Sequence, residues 1–204
     1  MRVASFALSF ARLPVVVVCL GLLVSGCGIS TIPTAEENAK AKWSDVLNQY
    51  QRRAELIPNL VETVKGYAAQ ERQVLEAVIN ARARATQTQL QIPPDILTNP
   101  EAFKRFQEAQ AQLSGALGRL IAVSEAYPDL KSNQNFLALQ SQLEGTENRI
   151  AVARRDYIEA VRVYNTELRT FPGVIWASIL YRNNKPMETF TIPDEMTKPP
   201  PVRF

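Results

Sequence analysis

Glu144 and Glu147 stand three residues apart, a spacing that sets two carboxylates on one face of a helix, where a pair of metal ions can bind. Helical sites of that kind complete their coordination with Glu-x-x-His, and the 204 residues contain no histidine. The same absence removes the commonest general base and every Ser-His-Asp or Cys-His arrangement. No metal, cofactor or catalytic residue is therefore expected, and the chain does not read as an enzyme.

Arg53 and Glu71 fall on heptad positions that are otherwise apolar, so each is expected to point towards a neighbouring helix, where an unpaired charge is costly. The candidate site is a polar cluster. It draws on Arg52, Arg53, Asn59, Glu62 and Glu71 from a first helix and on Glu144, Glu147, Asn148 and Arg149 from a third. Such a cluster can hold a ligand or a partner. The simpler expectation is that these groups form interhelical salt bridges and hydrogen bonds that set the register of a bundle. Tyr127, Tyr157 and Tyr164 read as core side chains.

The residue with the clearest chemistry is Cys27. Arg2 and Arg12 form a positive start without an acid, Leu13 to Val24 is an apolar run, and Val24-Ser25-Gly26-Cys27 ends it with small residues ahead of the thiol. The run is shorter than the roughly 20 residues of a spanning helix and contains Pro14, so cleavage fits better than permanent insertion. The four residues resemble the bacterial lipobox, whose cysteine takes a diacylglyceryl group and whose new amine is then acylated. Two or more acyl chains hold a protein on a bilayer where a single chain lets it escape. Residues 1–26 are thus expected to be a signal peptide and 27–37 a lipidated tether. A bundle domain is expected over 38–183 and an extended, proline-rich tail over 184–204.

The apolar residues that must position the cluster recur at heptad-like spacing. From Thr34 to Ala85, Trp43, Val46, Tyr50, Ile57, Leu60, Val64, Tyr67, Val74, Val78 and Ala81 keep one phase through Pro58, predicting a kinked helix or two abutting ones. Asn99-Pro100-Glu101 supplies a cap, a first-turn proline and an acid for the dipole of a second helix, on which Phe103, Phe106, Leu113, Leu117 and Leu120 form the face. Gly115 and Gly118 there suit close helix contact. Phe136, Leu139, Leu143, Ile150, Ala153, Tyr157 and Tyr164 mark a third helix from about Ser132 to Arg169. Val174 to Tyr181 fits a short helix or strand. The expected fold is all-α: an elongated antiparallel bundle of three long helices plus a short C-terminal element.

Tyr50-Gln51-Arg52-Arg53-Ala54-Glu55-Leu56-Ile57-Pro58-Asn59-Leu60-Val61-Glu62-Thr63-Val64-Lys65-Gly66-Tyr67 closely resembles the signature of the bacterial LemA family. Glu125 to Lys131 with Asn135-Phe136, Leu143 to Ala151 with Ala153-Arg154, and Phe171-Pro172 agree in order. The resemblance implies an envelope-associated helical bundle held at its N-terminus, with the domain outside the cytoplasm in most members. It departs at Gln70, where the family often has His before the glutamate matched by Glu71, and at Ile158, where Asn is common.

Charge narrows the partners. Without residues 1–26, which carry Arg2 and Arg12, the formal net charge is +1, far from the basic field that gathers nucleic acid. The expected partners are the membrane through lipid on Cys27, other envelope proteins and a second copy of the chain. Pro199-Pro200-Pro201 fits a solvated tail better than a recognition segment. The expected role is a membrane-anchored, non-enzymatic scaffold or interaction protein of the cell envelope, on the periplasmic side if there are two membranes. The alternative is a ligand-binding protein or enzyme using the polar cluster.

Overall fold

A computed structural model describes residues 28–191; Cys27, the lipobox and the triple proline lie outside the described residues. Among the described residues there are helices and no strand, as the periodicity requires. They are α1 (Thr31–Tyr67), α2 (Arg72–Leu90), a 3-10 turn (Ile96–Thr98), α3 (Pro100–Ser124), α4 (Pro128–Lys131), α5 (Gln134–Glu167) and α6 (Gly173–Ile179). No described helix is long and apolar enough to cross a membrane.

The long helices run up, down, up and down, with backbones closest between α1 and α5 and between α2 and α3. At 1.5 Å per residue, α1 is about 55 Å long. Its two ends are tied to α5 and to the chain beyond. Asn133 donates to the Tyr67 hydroxyl at 2.9 Å, and Asn184 to the Glu36 carboxylate at 2.9 Å.

Among the described residues the bundle has four long helices where three were expected, because the first pattern breaks at residues 68–71 and the chain folds back on itself. Pro58 lies inside unbroken α1. An apolar stripe in constant phase describes equally one long helix and a helical hairpin whose arms both face the core. The missing Pro58 N–H deprives the Ala54 carbonyl of its intrahelical donor. Arg82 Nε, on the returning α2, donates to that carbonyl at 2.8 Å.

The expected cap at Asn99 is made, its side chain accepting from the Ala102 amide at 3.1 Å, and a second one, not expected, is made at α5, where Asn133 accepts from the Phe136 amide at 3.0 Å. Of the stretch Val174 to Tyr181, residues up to Ile179 form the helix α6, with Gly173 so close to α5 that a Cβ there would strike the Glu167 carbonyl.

The helical bundle reaches further at both ends than 38–183. Residues 31–37, expected as tether, belong to α1, with Ile32 and Ala35 buried. At the other end residues 184–190 form a strap. Met187 and Asn165 exchange two hydrogen bonds of 2.8 and 2.9 Å, and the Glu188 amide donates to the Leu97 carbonyl at 2.7 Å. Tyr157 Oη donates to the Glu188 carbonyl at 2.8 Å. An extended chain can pack only if its amides and carbonyls find partners, and the helices supply them.

The core has two halves. Around Trp43, ring centroids lie 5.5 Å from Phe103, 5.1 Å from Phe106, 5.4 Å from Tyr157 and 6.0 Å from Phe190. The other half is aliphatic, with Leu60, Val64, Val78, Leu120 and Leu143 at its centre.

Candidate functional site

Arg53 lies between those two halves and is 1% exposed. Its Nη1 donates to Ser114 Oγ at 2.7 Å and to Glu147 Oε1 at 2.9 Å; Nη2 donates to Gln110 Oε1 at 2.6 Å. The guanidinium carbon stands 5.0 Å from the centre of the Tyr50 ring. Only Nε lacks a partner. A charge held this way is neutralised from α5 and hydrogen-bonded from α3, so one residue of α1 joins three helices.

Its position follows from the heptads. Arg53 interrupts the run Trp43, Val46, Tyr50, Ile57 and Leu60; Gln110 interrupts Phe103, Phe106, Leu113 and Leu117. Thr146, fully buried, interrupts Leu139, Leu143, Ile150 and Ala153. Its hydroxyl donates to the Gln142 carbonyl at 2.8 Å and accepts from Arg149 at 3.0 Å. Sequence reasoning singled out Arg53 and missed Gln110, Ser114 and Thr146, although two of these fill gaps in an apolar stripe.

Of the proposed cluster the structure pairs Arg53 with Glu147, sets Glu144 and Asn148 beside Glu147 in one groove and Arg52 and Arg149 together in another between α1 and α5, and leaves Glu71 apart from all of them. Glu71 sits 2.8 Å from the Tyr127 hydroxyl, which donates to it and accepts from Gln70 Nε2 at 2.9 Å. That bond raises the Tyr127 pKa, since ionisation would set two anions together. Gln70, at the position where histidine was the expected family residue, therefore orients a tyrosine. Asn59, Glu62, Glu144, Asn148, Arg149 and Arg52 are exposed. Glu62 lies 3.7 Å from Lys65, and Glu144 accepts from Gln140 at 3.0 Å.

Glu144, Glu147 and Asn148 line an open groove of about 520 Å³ between α3 and α5, floored by Leu117, Ile121 and Leu143. Gly118 lies in this groove, and neither it nor Gly115 meets another helix where a Cβ would stand. Both glycines keep α3 bare there; they do not bring helices into contact. No group of three or more acidic or cysteine side chains among the described residues is placed to hold a metal ion.

Of the three tyrosines read as core, Tyr157 and Tyr164 are buried, whereas Tyr127 is half-buried at the bundle end, where Glu71 and Gln70 hold its hydroxyl. Burial raises the pKa of Tyr157, of Tyr50 and of Tyr164, favouring the neutral phenol in each.

These features define an all-α bundle with an internal polar layer that is largely spent on its own helices. The chain belongs to the LemA family, whose model matches residues 42–204. Among curated proteins it is similar to magnetosome proteins MamQ 1 and MamQ 2 of Paramagnetospirillum magneticum, each 29% identical over 157 residues. Those matches cover 70% of this chain and 58% of either relative. Magnetosome protein MamQ of Magnetospirillum gryphiswaldense is 27% identical over 153 residues, 68% of this chain and 56% of that protein. The chain thus spans less than two thirds of the length of these relatives.

Proposed function

We propose that this protein is a non-enzymatic scaffold or interaction protein of the bacterial envelope, anchored by lipid on Cys27 with its bundle outside the cytoplasm. The observation that carries the reading is the lipobox, Val24-Ser25-Gly26-Cys27, set directly before the helical domain. The Arg53 layer supports it: both terminal nitrogens are engaged by Ser114, Glu147 and Gln110, which leaves little for a substrate. Family membership agrees with an envelope role, and the relatives' names tie them to the magnetosome and state no reaction.

Mass spectrometry of the mature N-terminus tests the anchor. A diacylglyceryl-modified and acylated Cys27 is the expected result, and an intact Met1 sinks it. Crosslinking in intact cells tests the scaffold role, which a lack of any reproducible partner would contradict.

The groove between α3 and α5 favours a second reading, a ligand-binding protein, because it pairs an apolar floor with the carboxylates of Glu144 and Glu147. Glu144→Gln and Asn148→Ala separate the two. Lost phenotype with intact folding favours a ligand site, whereas retained phenotype favours the scaffold.

A further inference from the structure

We infer that α6 and the turn before it form a membrane-docking face, on which the bundle rests against the bilayer surface beside its anchor. The proposal builds on the anchored reading above and adds an orientation to it.

The described chain starts at Gly28, the residue after Cys27, and Gly28 is fixed against α6. A Cβ built on it would lie 3.1 Å from Trp176 Nε1 and 3.2 Å from Pro172 Cγ. Tyr181 Oη donates to the Ile29 carbonyl at 3.0 Å, so the same contact is clamped twice. Lipid attached at Cys27 therefore has no long tether between it and α6; it emerges within a residue of Trp176.

The outward side of α6 is apolar. Trp176, Ala177 and Tyr181 pack inward on the aromatic half of the core. Val174 and Ile175 are each 42% exposed, Ile179 56%, Leu180 54% and Phe171, in the preceding turn, 80%. A helix apolar on both sides ordinarily has both sides covered, and here one is bare. At seven residues it is far too short to span a bilayer, so its fit is to the surface plane.

Its borders match the headgroup layer. Arg169 and Arg182 are exposed at either end of the apolar stretch, where guanidinium groups meet lipid phosphates. Trp176 and Tyr181 are half-buried at its edge, the residue types that settle at membrane interfaces. An acyl anchor supplies one attachment, and an adjoining apolar patch supplies the second that firm, oriented binding needs.

The test uses the full lipidated chain in phospholipid vesicles. A tryptophan is placed on the face by Ile179→Trp, and in a separate chain by Val174→Trp in case the first packs poorly. Leu137→Trp, near the opposite end of the bundle beside the Asn133–Tyr67 bond, is the control. With the emission of Trp43 and Trp176 subtracted by reading the unsubstituted chain in the same vesicles, bromine-labelled acyl chains should quench the added emission at least about twofold at positions 179 and 174 and leave the added emission at 137 unchanged.

Sedimentation with the vesicles and the mass of the N-terminal peptide are read on the same samples. Sedimentation with a lipidated peptide but no quenching at 179 or 174 overturns the docking face and leaves the anchor standing. Failure to sediment, with unmodified Cys27, overturns the anchor and with it the docking face. Protection of position 179 by a second copy, seen as a dimer mass without bromine quenching, also overturns it.

Discussion

At the scale of single residues, Arg53 is a charge that three helices must satisfy together, and its removal is not equivalent to removal of its partners. Arg53→Ala strands Gln110 and opens a void, and should lower stability by about 3–5 kcal/mol in urea unfolding followed by Trp43 fluorescence. Glu147→Gln keeps an acceptor but leaves the guanidinium, 1% exposed, without its counter-charge; with the carboxylate itself 42% exposed, the cost should be about 1–3 kcal/mol, less than that of losing Arg53. Arg53→Met combined with Gln110→Leu should recover most of the loss, since apolar residues of similar volume often replace a buried polar set without penalty. Tyr157 makes a pH prediction. Burial raises its folded pKa above the unfolded value of about 10, so its contribution is complete below pH ~10 and falls as pH rises past that point. Urea unfolding at pH 8 and 10.5 should show wild-type stability dropping and Tyr157→Phe dropping less.

Elements show how one residue's defect decides where another element goes. Pro58 leaves the Ala54 carbonyl without an intrahelical partner, and Arg82 on α2 fills the vacancy. Arg82→Ala should destabilise by about 1–3 kcal/mol, the usual result of stranding a half-buried acceptor. In Pro58→Ala the helix regains its own donor, so Arg82→Ala on that background should be markedly milder. A double-mutant cycle measures the difference, and additive losses would count against the compensation. The α1–α2 turn also explains why Glu71 is not in the Arg53 layer: once the chain reverses at residues 68–71, Glu71 stands at the bundle end with Tyr127.

For the whole molecule, the Arg53 layer separates an aromatic half, which carries both ends of the described residues, from a mainly aliphatic half built on the α1–α2 turn. The strap at residues 184–190 closes the first half, with Phe190 5.1 Å from Phe103 and 4.4 Å from the Arg154 guanidinium. Phe190→Ala should lower stability by about 3–5 kcal/mol, and hydrogen exchange should quicken most in Trp43, Tyr157 and their neighbours. Exchange that quickens equally around Leu120 would show that the halves unfold as one.

Helix content, the heptad faces, the Asn99 cap and the burial of Arg53 were legible in the sequence, because periodicity and capping are local properties. The tertiary structure alone decided that the first stripe is a hairpin, since both arms of a hairpin keep the phase of one long helix. It also decided which acid meets Arg53. Glu71 and Glu147 were both candidates by pattern, and only the direction taken after Tyr67 brings one to the guanidinium and sends the other to Tyr127. The strap was read as tail because polar and proline residues lack a period, and its order comes from donors and acceptors on helices distant in sequence. Gly28 beside Trp176 is likewise a contact between residues far apart in sequence, which no local pattern announces.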